Sequence, residues 1–166
     1  MGNDKYLKGK VAVVTGAGSS GFGRIMAKRF ASKGADLVLN DIDKDGLEES
    51  KQIIQKEFDV KVKIINVDIT DLNQVQKMEK EVFDSFDNVY LLVNNAGIDG
   101  GLYSSLKAKE EIYDKVMAVN VKGAWNMTKT FFRKMKRQRD FKPIRAKIIN
   151  IASCAGTPNG LNPFIG

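Results

Sequence analysis

The sequence predicts an α/β fold, a doubly wound parallel sheet with helices on both faces, and three observations support this prediction. Short runs rich in Val, Ile and Leu recur along the chain. Stretches with apolar residues at helical spacing separate these runs. The first run passes directly into a glycine-rich turn. Because strands joined through helices of this length form right-handed crossovers, they align in one parallel sheet.

The elements follow in a regular order. The first strand lies in KVAVVTGAG, starting at Lys10, where a valine run is typical of a strand buried on both faces. The helix that follows lies in GRIMAKRFASKGA, and Gly34 provides its stop signal. The pattern continues as strand 36–41, helix 44–58, strand 61–68, helix 71–86, strand 89–95, helices over about 104–118 and onward to about 137, and a fifth strand, AKIINIAS, that ends at Ser153.

Composition limits the chemistry that the chain can perform. At 166 residues, with 43% hydrophobic and 28% charged residues, it has the length of one globular domain. The absence of histidine excludes Ser-His-Asp and Cys-His nucleophiles and histidine-ligated metals, and one cysteine, Cys154, forms neither a disulfide within the chain nor a cysteine cluster, so no metal site is expected. The N-terminus lacks the apolar core of a secretory signal and no run is long enough to cross a bilayer, which predicts a cytoplasmic protein without membrane contact.

The net charge of +7 raises the alternative of a nucleic-acid surface. Most of the surplus lies in RKMKRQRDFKPIR, from Arg133 to Arg145. Cations at this position suit the C-terminal end of a helix, where the helix dipole favours positive charge. The one aromatic residue of this segment, Phe141, does not make the repeated interleaving of aromatic and basic residues that a single-strand platform requires, so nucleic-acid binding is not expected.

The glycine turn TGAGSSGFG, Thr15 to Gly23, follows the first strand and opens the first helix. Backbone amides at a helix N-terminus bind phosphate, and glycine allows its close approach. Gly16, Gly18 and Gly21 form a GxGxxG dinucleotide motif. A P-loop is excluded because Phe22 and Gly23 occupy the positions of its Lys and Ser/Thr.

Asp41, at the end of the second strand and twenty residues after Gly21, indicates which dinucleotide binds. A carboxylate accepts hydrogen bonds from ribose hydroxyls and repels a 2′-phosphate. Its neighbours Asn40 and Ile42 supply no cation, so NAD is predicted over NADP. Arg24 leaves one alternative open, because it lies close enough to the turn in sequence to reach a phosphate.

Five motifs in order resemble the short-chain dehydrogenase/reductase family, from about Lys8 to Gly166. They are TGAGSSGFG, DIT at 68–70, NNAG at 94–97, VNVKG at 119–123 and NIASCAG at 150–156. The resemblance implies a Rossmann fold and an oxidoreductase that transfers hydride between NAD(H) and a small-molecule alcohol or carbonyl substrate. It also implies a full-length homodimer or homotetramer that assembles through the long helix containing Trp125.

The resemblance also implies roles for individual residues. Asn120 and Ser153 match the catalytic asparagine and serine of the family, where the serine would polarise a carbonyl oxygen and the asparagine carbonyl would hold a water for proton relay. The implied cofactor-binding residues are Gly16, Ser19, Ser20, Gly21, Phe22, Gly23, Asp41, Ile42, Asp68, Ile69, Asn95, Ala96 and Gly97.

Two departures from the family pattern matter. The glycine phrase carries four residues between Gly16 and Gly21 where the family has three, so which of Ser19 and Ser20 faces the phosphate stays open. The family's YxxxK pair, tyrosine as general acid/base and lysine as its partner, is expected after Ser153 and does not occur there. The strings at Tyr6–Lys10 and Tyr103–Lys107 are in other positions and are interpreted as coincidence.

The sequence therefore predicts a single dinucleotide-binding domain over residues 1–166, incomplete after the fifth strand and inactive alone. The alternative is a non-catalytic dinucleotide-binding module. The two readings differ in whether a YxxxK pair follows in the parent protein.

Overall fold

The computed structural model describes residues 5–101, 109–138, 141–142 and 144–153. In that part of the chain, five strands form one parallel sheet in the order β3-β2-β1-β4-β5. The strands are β1 (Val11–Thr15), β2 (Asp36–Asp41), β3 (Val62–Asn66), β4 (Leu91–Asn94) and β5 (Lys147–Asn150). The helices are α1 (Phe22–Ser32), α2 (Lys44–Glu57), α3 (Leu72–Ser85), α4 (Glu110–Met117) and α5 (Ala124–Met135).

The strand order reverses direction beside β1. From β1 the chain builds outward to β2 and β3, then returns to place β4 on the other side of β1. The carboxyl ends of β1 and β4 therefore border a crevice, which is where ligands bind in open α/β sheets. Every residue of β1 and β4 is buried, as their apolar sequences predict.

Helices cover both faces of the sheet and create two apolar cores. One core forms beneath α1 and α2 and includes Leu37, Leu47 and Ile54. The other forms beneath α3 and α5 and includes Val75 and Phe131. The predicted doubly wound α/β fold is confirmed, and the predicted strand and helix order holds throughout the described residues.

Aspartates define the starts of two helices. The Asp43 carboxylate accepts a hydrogen bond from Gly46 N at 3.0 Å and caps α2. The Asp71 carboxylate caps α3, accepting from Asn73 N at 2.8 Å and from Gln74 N at 3.3 Å. A further hydrogen bond from the Gln74 side chain, together with these amides, lowers the pKa of Asp71. Both caps satisfy amides that the first helical turn leaves without partners.

A π-helical segment, Ala118–Gly123, joins α4 to α5, at the point where the sequence predicted a junction between two helices. The helix α5 has two apolar sides. Met127, Phe131 and Met135 face the core, whereas Trp125 and Phe132 are about half exposed. Met135 belongs to the core-facing side because it follows Met127 and Phe131 at intervals of four residues.

None of the helices in the described residues has the length and apolar character needed to span a bilayer.

Candidate functional site

The glycine turn at the end of β1 is packed and bent in a way that requires glycine at two positions. Gly16 has a φ of 69°, a conformation that side chains rarely adopt. A Cβ on Gly23 would lie 2.1 Å from the Gly16 carbonyl oxygen and 2.8 Å from Asn95 Nδ2, so only glycine lets α1 start this close to the turn. The motif is thus explained by backbone packing as well as by ligand access.

The outer part of the turn is exposed and leads into the helix. Ser19, Ser20, Gly21 and Phe22 are all exposed, and Phe22 reaches 75%. No side chain caps the start of α1, so its first amides keep the positive end of the helix dipole open to an anion. The Ser19 hydroxyl accepts from Gly21 N at 3.3 Å, which orients this serine within the turn.

Asp41 lies directly against the turn. Its Oδ2 accepts from Gly18 N at 2.8 Å and its Oδ1 accepts from Asp43 N at 3.1 Å. The residue is partly buried, and the neighbouring Ile42 is 73% exposed. Two amides hold the carboxylate, which retains lone pairs for two further donors such as ribose hydroxyls.

Arg24 is buried beneath the turn and does not face its outer side. Its Nε donates to Ser50 Oγ at 2.8 Å, and one terminal nitrogen donates to Gly18 O at 3.0 Å and Glu49 Oε2 at 2.6 Å. Only 8% of the residue is exposed. These contacts disfavour the alternative, left open by the sequence, in which Arg24 binds a phosphate.

Asn95 fastens the ends of β4 and β1 together. Its Nδ2 donates to Thr15 O at 2.9 Å and to Gly16 O at 3.1 Å. The Thr15 hydroxyl in turn accepts from Asn95 N and Ala96 N, each at 3.0 Å. The Asn95 side chain therefore supports the turn from behind. Thr15 was missed by the sequence reasoning, although a lone hydroxyl closing a buried valine strand was a usable signal.

Asp68 and Ile69 differ in their surroundings. Asp68 is exposed, and its Oδ1 accepts from Thr70 N at 2.8 Å. Ile69 is 5% exposed and packs against Gly123, where an added Cβ would lie 2.6 Å from Ile69 Cδ1. Asp68 therefore offers a polar group at the surface, whereas Ile69 belongs to the core beneath α3 and α5.

Asn120 lies in the π-helical segment and joins it to the loop after β4. Ile98 N donates to Asn120 Oδ1 and Asn120 Nδ2 donates to Ile98 O, both at 2.9 Å. Gly97, one residue earlier, is exposed, and an added Cβ there would lie 3.4 Å from Asn120 Oδ1. These two contacts engage both the amide oxygen and the amide nitrogen of the side chain.

Ser153 is exposed three residues beyond the end of β5. The strand end itself is fixed, because Asn94 Nδ2 donates to Asn150 Oδ1 at 2.7 Å and Ile151 N donates to Asn94 O at 2.9 Å. The structure thus gathers the glycine turn, Asp41, Asn95 and Asn120 at the carboxyl edge of the sheet, which Ser153 also follows. Tyr103 and Lys107 lie outside the described residues.

Comparison with known proteins agrees with this arrangement. A family model described as short chain dehydrogenase matches residues 10–163. The 3-oxoacyl-[acyl-carrier-protein] reductase FabG of Thermotoga maritima is 33% identical over 153 residues, which cover 90% of this chain and 58% of the reductase.

Solved structures give the same result. A short chain dehydrogenase/reductase from Burkholderia phymatum in complex with NAD is 33% identical with a TM-score of 0.78, covering 94% of this chain and 52% of that one. A metagenomic short-chain oxidoreductase in complex with NADP is 28% identical with a TM-score of 0.72, covering 78% and 57%. The chain spans a little over half the length of these relatives. The chain belongs to the short-chain dehydrogenase/reductase family.

Proposed function

We propose that this chain is a single dinucleotide-binding domain that supplies the cofactor site of an oxidoreductase, in which hydride passes between NAD(H) and an alcohol or carbonyl substrate. The observation that carries the proposal is the placement of Asp41. Its carboxylate lies against the glycine turn, held by Gly18 N at 2.8 Å. A fixed negative charge at this point favours a ribose with free hydroxyls and repels a 2′-phosphate.

The residues present suit a dinucleotide. The start of α1 has no side-chain cap, and Gly23 lets α1 begin directly against the Gly16 carbonyl oxygen, beside the turn. Gly16, Ser19, Ser20, Gly21 and Phe22 would surround the pyrophosphate. On the other half of the site, Asp41 and Ile42 would contact the adenosine ribose, Asp68 and Ile69 the adenine, and Asn95, Ala96 and Gly97 the cofactor beside β4.

When bound, the nicotinamide would supply or accept the hydride. The hydroxyl of Ser153 would donate a hydrogen bond to the substrate carbonyl oxygen, which gains negative charge as hydride arrives. The Asn120 side chain makes two hydrogen bonds of 2.9 Å with the backbone of Ile98, which would hold the π-helical segment in place. The backbone carbonyl of Asn120 would then hold a water. These two residues polarise the substrate and position a proton path.

Turnover needs a proton donor as well. Reduction of a carbonyl leaves an alkoxide that must take up one proton, and a tyrosine with a neighbouring lysine is the pair that the family resemblance implies. The chain spans a little over half the length of its relatives. We propose that the proton donor belongs to the part of the full-length protein that this chain does not cover, so that the chain by itself binds cofactor without turnover.

Assembly through the exposed side of the long helix is a further part of the proposal. Val121, Trp125 and Phe132 are each at least half exposed and follow one another along that side. The helical run formed by α4, the π-helical segment and α5 begins with Glu110 and Glu111 and has Arg133 in its last turn. An antiparallel pairing with a second copy would bury the aromatic residues and place the acidic end of each helix beside the basic end of the other.

Isothermal titration of the purified chain with NADH tests the proposed function, accompanied by an assay with NADH and a panel of ketones. We expect saturable binding and no ketone-dependent oxidation of NADH. The absence of any NADH binding by a folded chain would overturn the dinucleotide proposal, and ketone-dependent turnover would overturn the proposal that the chain lacks its proton donor.

A further inference from the structure

We propose that Arg24 and Gly18 determine cofactor specificity indirectly, by holding the Asp41 carboxylate in the orientation that selects NAD over NADP. The inference rests on the proposed function of this site. Neither residue is assigned a contact with the cofactor. Both act through Asp41, as positioning residues.

Gly18 is the point of contact between the turn and the carboxylate. Gly18 N donates to Asp41 Oδ2 at 2.8 Å, and a Cβ on Gly18 would lie only 3.0 Å from Asp41 Cγ. A side chain at position 18 would therefore push Asp41 away from the turn. The turn holds one residue more than the family phrase, and Gly18 lies within this longer segment.

Arg24 fixes the peptide that follows Gly18. Its terminal nitrogen donates to Gly18 O at 3.0 Å, while its Nε donates to Ser50 Oγ at 2.8 Å. The Ser50 hydroxyl donates to Ala17 O at 2.6 Å. Two successive carbonyls of the turn are thereby drawn inward, toward α2.

The start of α2 closes this arrangement from the other side. A Cβ on Gly46 would lie 2.2 Å from Gly18 O, so the helix touches the turn backbone directly. Arg24 also donates to Gly46 O at 3.4 Å and pairs with Glu49 at 2.6 Å. The carbonyl of Gly18 is thus confined between Arg24 and Gly46 while its amide holds Asp41.

This arrangement has a consequence for affinity. A carboxylate already oriented by the protein loses little freedom when it binds ribose hydroxyls, and it cannot turn aside to admit a 2′-phosphate. Releasing Asp41 should therefore weaken NADH binding and relieve the exclusion of NADPH. A purely structural defect would weaken both cofactors together, because they share every other part of the site.

The test is fluorescence titration of the chain with NADH and with NADPH, comparing wild type, Gly18→Ala and Arg24→Met. We expect each variant to lower the ratio of the NADPH Kd to the NADH Kd by about tenfold, mainly through weaker NADH binding, as is typical for the loss of a hydrogen bond to a charged group. Thermal melts establish that each variant is folded. Gly18→Ala keeps the proposal testable without Arg24→Met, because its added methyl group meets the movable Asp41 side chain.

Lys28→Met is the matched control. Lys28 pairs with Glu57 at 2.6 Å, so it also joins α1 to α2, but it makes no contact with the turn. We expect its Kd ratio to equal that of wild type. An unchanged ratio in Gly18→Ala, equal losses for both cofactors, or a similar shift in Lys28→Met would overturn the proposal. If wild type binds neither cofactor, the proposed function itself fails, an outcome distinct from these.

Discussion

Asn120 pairs with both backbone groups of Ile98, accepting from its amide and donating to its carbonyl at 2.9 Å each. This double hydrogen bond ties the π-helical segment to the loop that leaves β4. It gives a residue implied as catalytic a structural role as well, because both ends of its amide bond the backbone of Ile98.

Replacing Asn120 with Ala should therefore affect stability as well as chemistry. The substitution leaves two partly buried backbone groups without partners, which costs about 1–3 kcal/mol of unfolding free energy. Urea denaturation of wild type and variant measures this loss. Equal stability of the two proteins would show that the Ile98 contact contributes nothing to the fold.

The preference for NADH over NADPH should fall when the negative charge beside the turn is replaced by a positive one. Replacing Asp41 with Ala and Ile42 with Arg removes a repulsion and adds a phosphate partner, since Ile42 is 73% exposed and has room for a long side chain. We expect the preference for NADH over NADPH to fall at least tenfold in parallel titrations, which is about 1.4 kcal/mol. A retained preference would show that another group selects the cofactor.

Substitutions at two glycines of the turn should distinguish an effect on folding from an effect on NADH binding. Gly23→Ala places a methyl group 2.1 Å from the Gly16 carbonyl oxygen, and we expect a lower melting temperature and loss of NADH binding. In Gly21→Ala, the nearest atom is Ser19 Oγ at 3.2 Å, a movable hydroxyl. This variant should melt like wild type and bind NADH more weakly, because its methyl group faces the approach of the phosphate. Equal melting temperatures for all three proteins would contradict the packing account.

The cap of α3 should make stability depend on pH. Hydrogen bonds from the Gln74 side chain and from backbone amides lower the pKa of Asp71 below its ordinary value of 3.8. The ionised carboxylate is thus favoured in the folded state. Its stabilisation is present above pH 3.8 and disappears as the pH falls through the lower folded-state pKa.

Asp71→Ala should consequently lower the melting temperature by a few degrees at pH 7. The difference between variant and wild type should shrink progressively in melts recorded at pH values further below 3.8. Asp84, exposed near the end of the same helix, supplies a control as Asp84→Ala. A constant difference across the whole pH range would rule out the ionised cap as its source.

The exposed side of the long helix should control assembly. Trp125→Glu with Phe132→Lys replaces two half-exposed aromatic residues without touching the core-facing Met127 or Phe131. We expect the wild-type chain to associate in sedimentation experiments and the double variant to sediment as a monomer with an unchanged circular dichroism spectrum. A monomeric wild type would refute pairing through this side.

The sequence correctly predicted those features of the fold that depend on a short local pattern of residues. The range 36–41 was predicted as a strand and is observed with the same bounds, because a short apolar run bounded by polar residues leaves few alternatives. Asp41 was predicted at its end, and VNVKG at 119–123 was predicted as the junction between two helices, where the structure has the π-helical segment Ala118–Gly123. In each case the signal lies within a few neighbouring residues.

What the sequence did not reveal depends on residues far apart in the chain. The sequence left Arg24 available to a phosphate, whereas in the structure it bonds Ser50 and Glu49, which come from a different helix. Ile69 packs closely against Gly123, which lies in the π-helical segment more than fifty residues later in the chain. The hydroxyl of Thr15 accepts hydrogen bonds from two backbone amides that follow β4. Spacing within one segment carries no information about such contacts.

The most direct test of the central claim is a side-by-side titration of the wild-type chain with NADH and NADPH at one salt concentration. The placement of Asp41 against Gly18 predicts saturable binding of NADH and binding of NADPH at least tenfold weaker. Equal or tighter binding of NADPH would contradict the account, because an oriented carboxylate beside the turn leaves no favourable place for a 2′-phosphate.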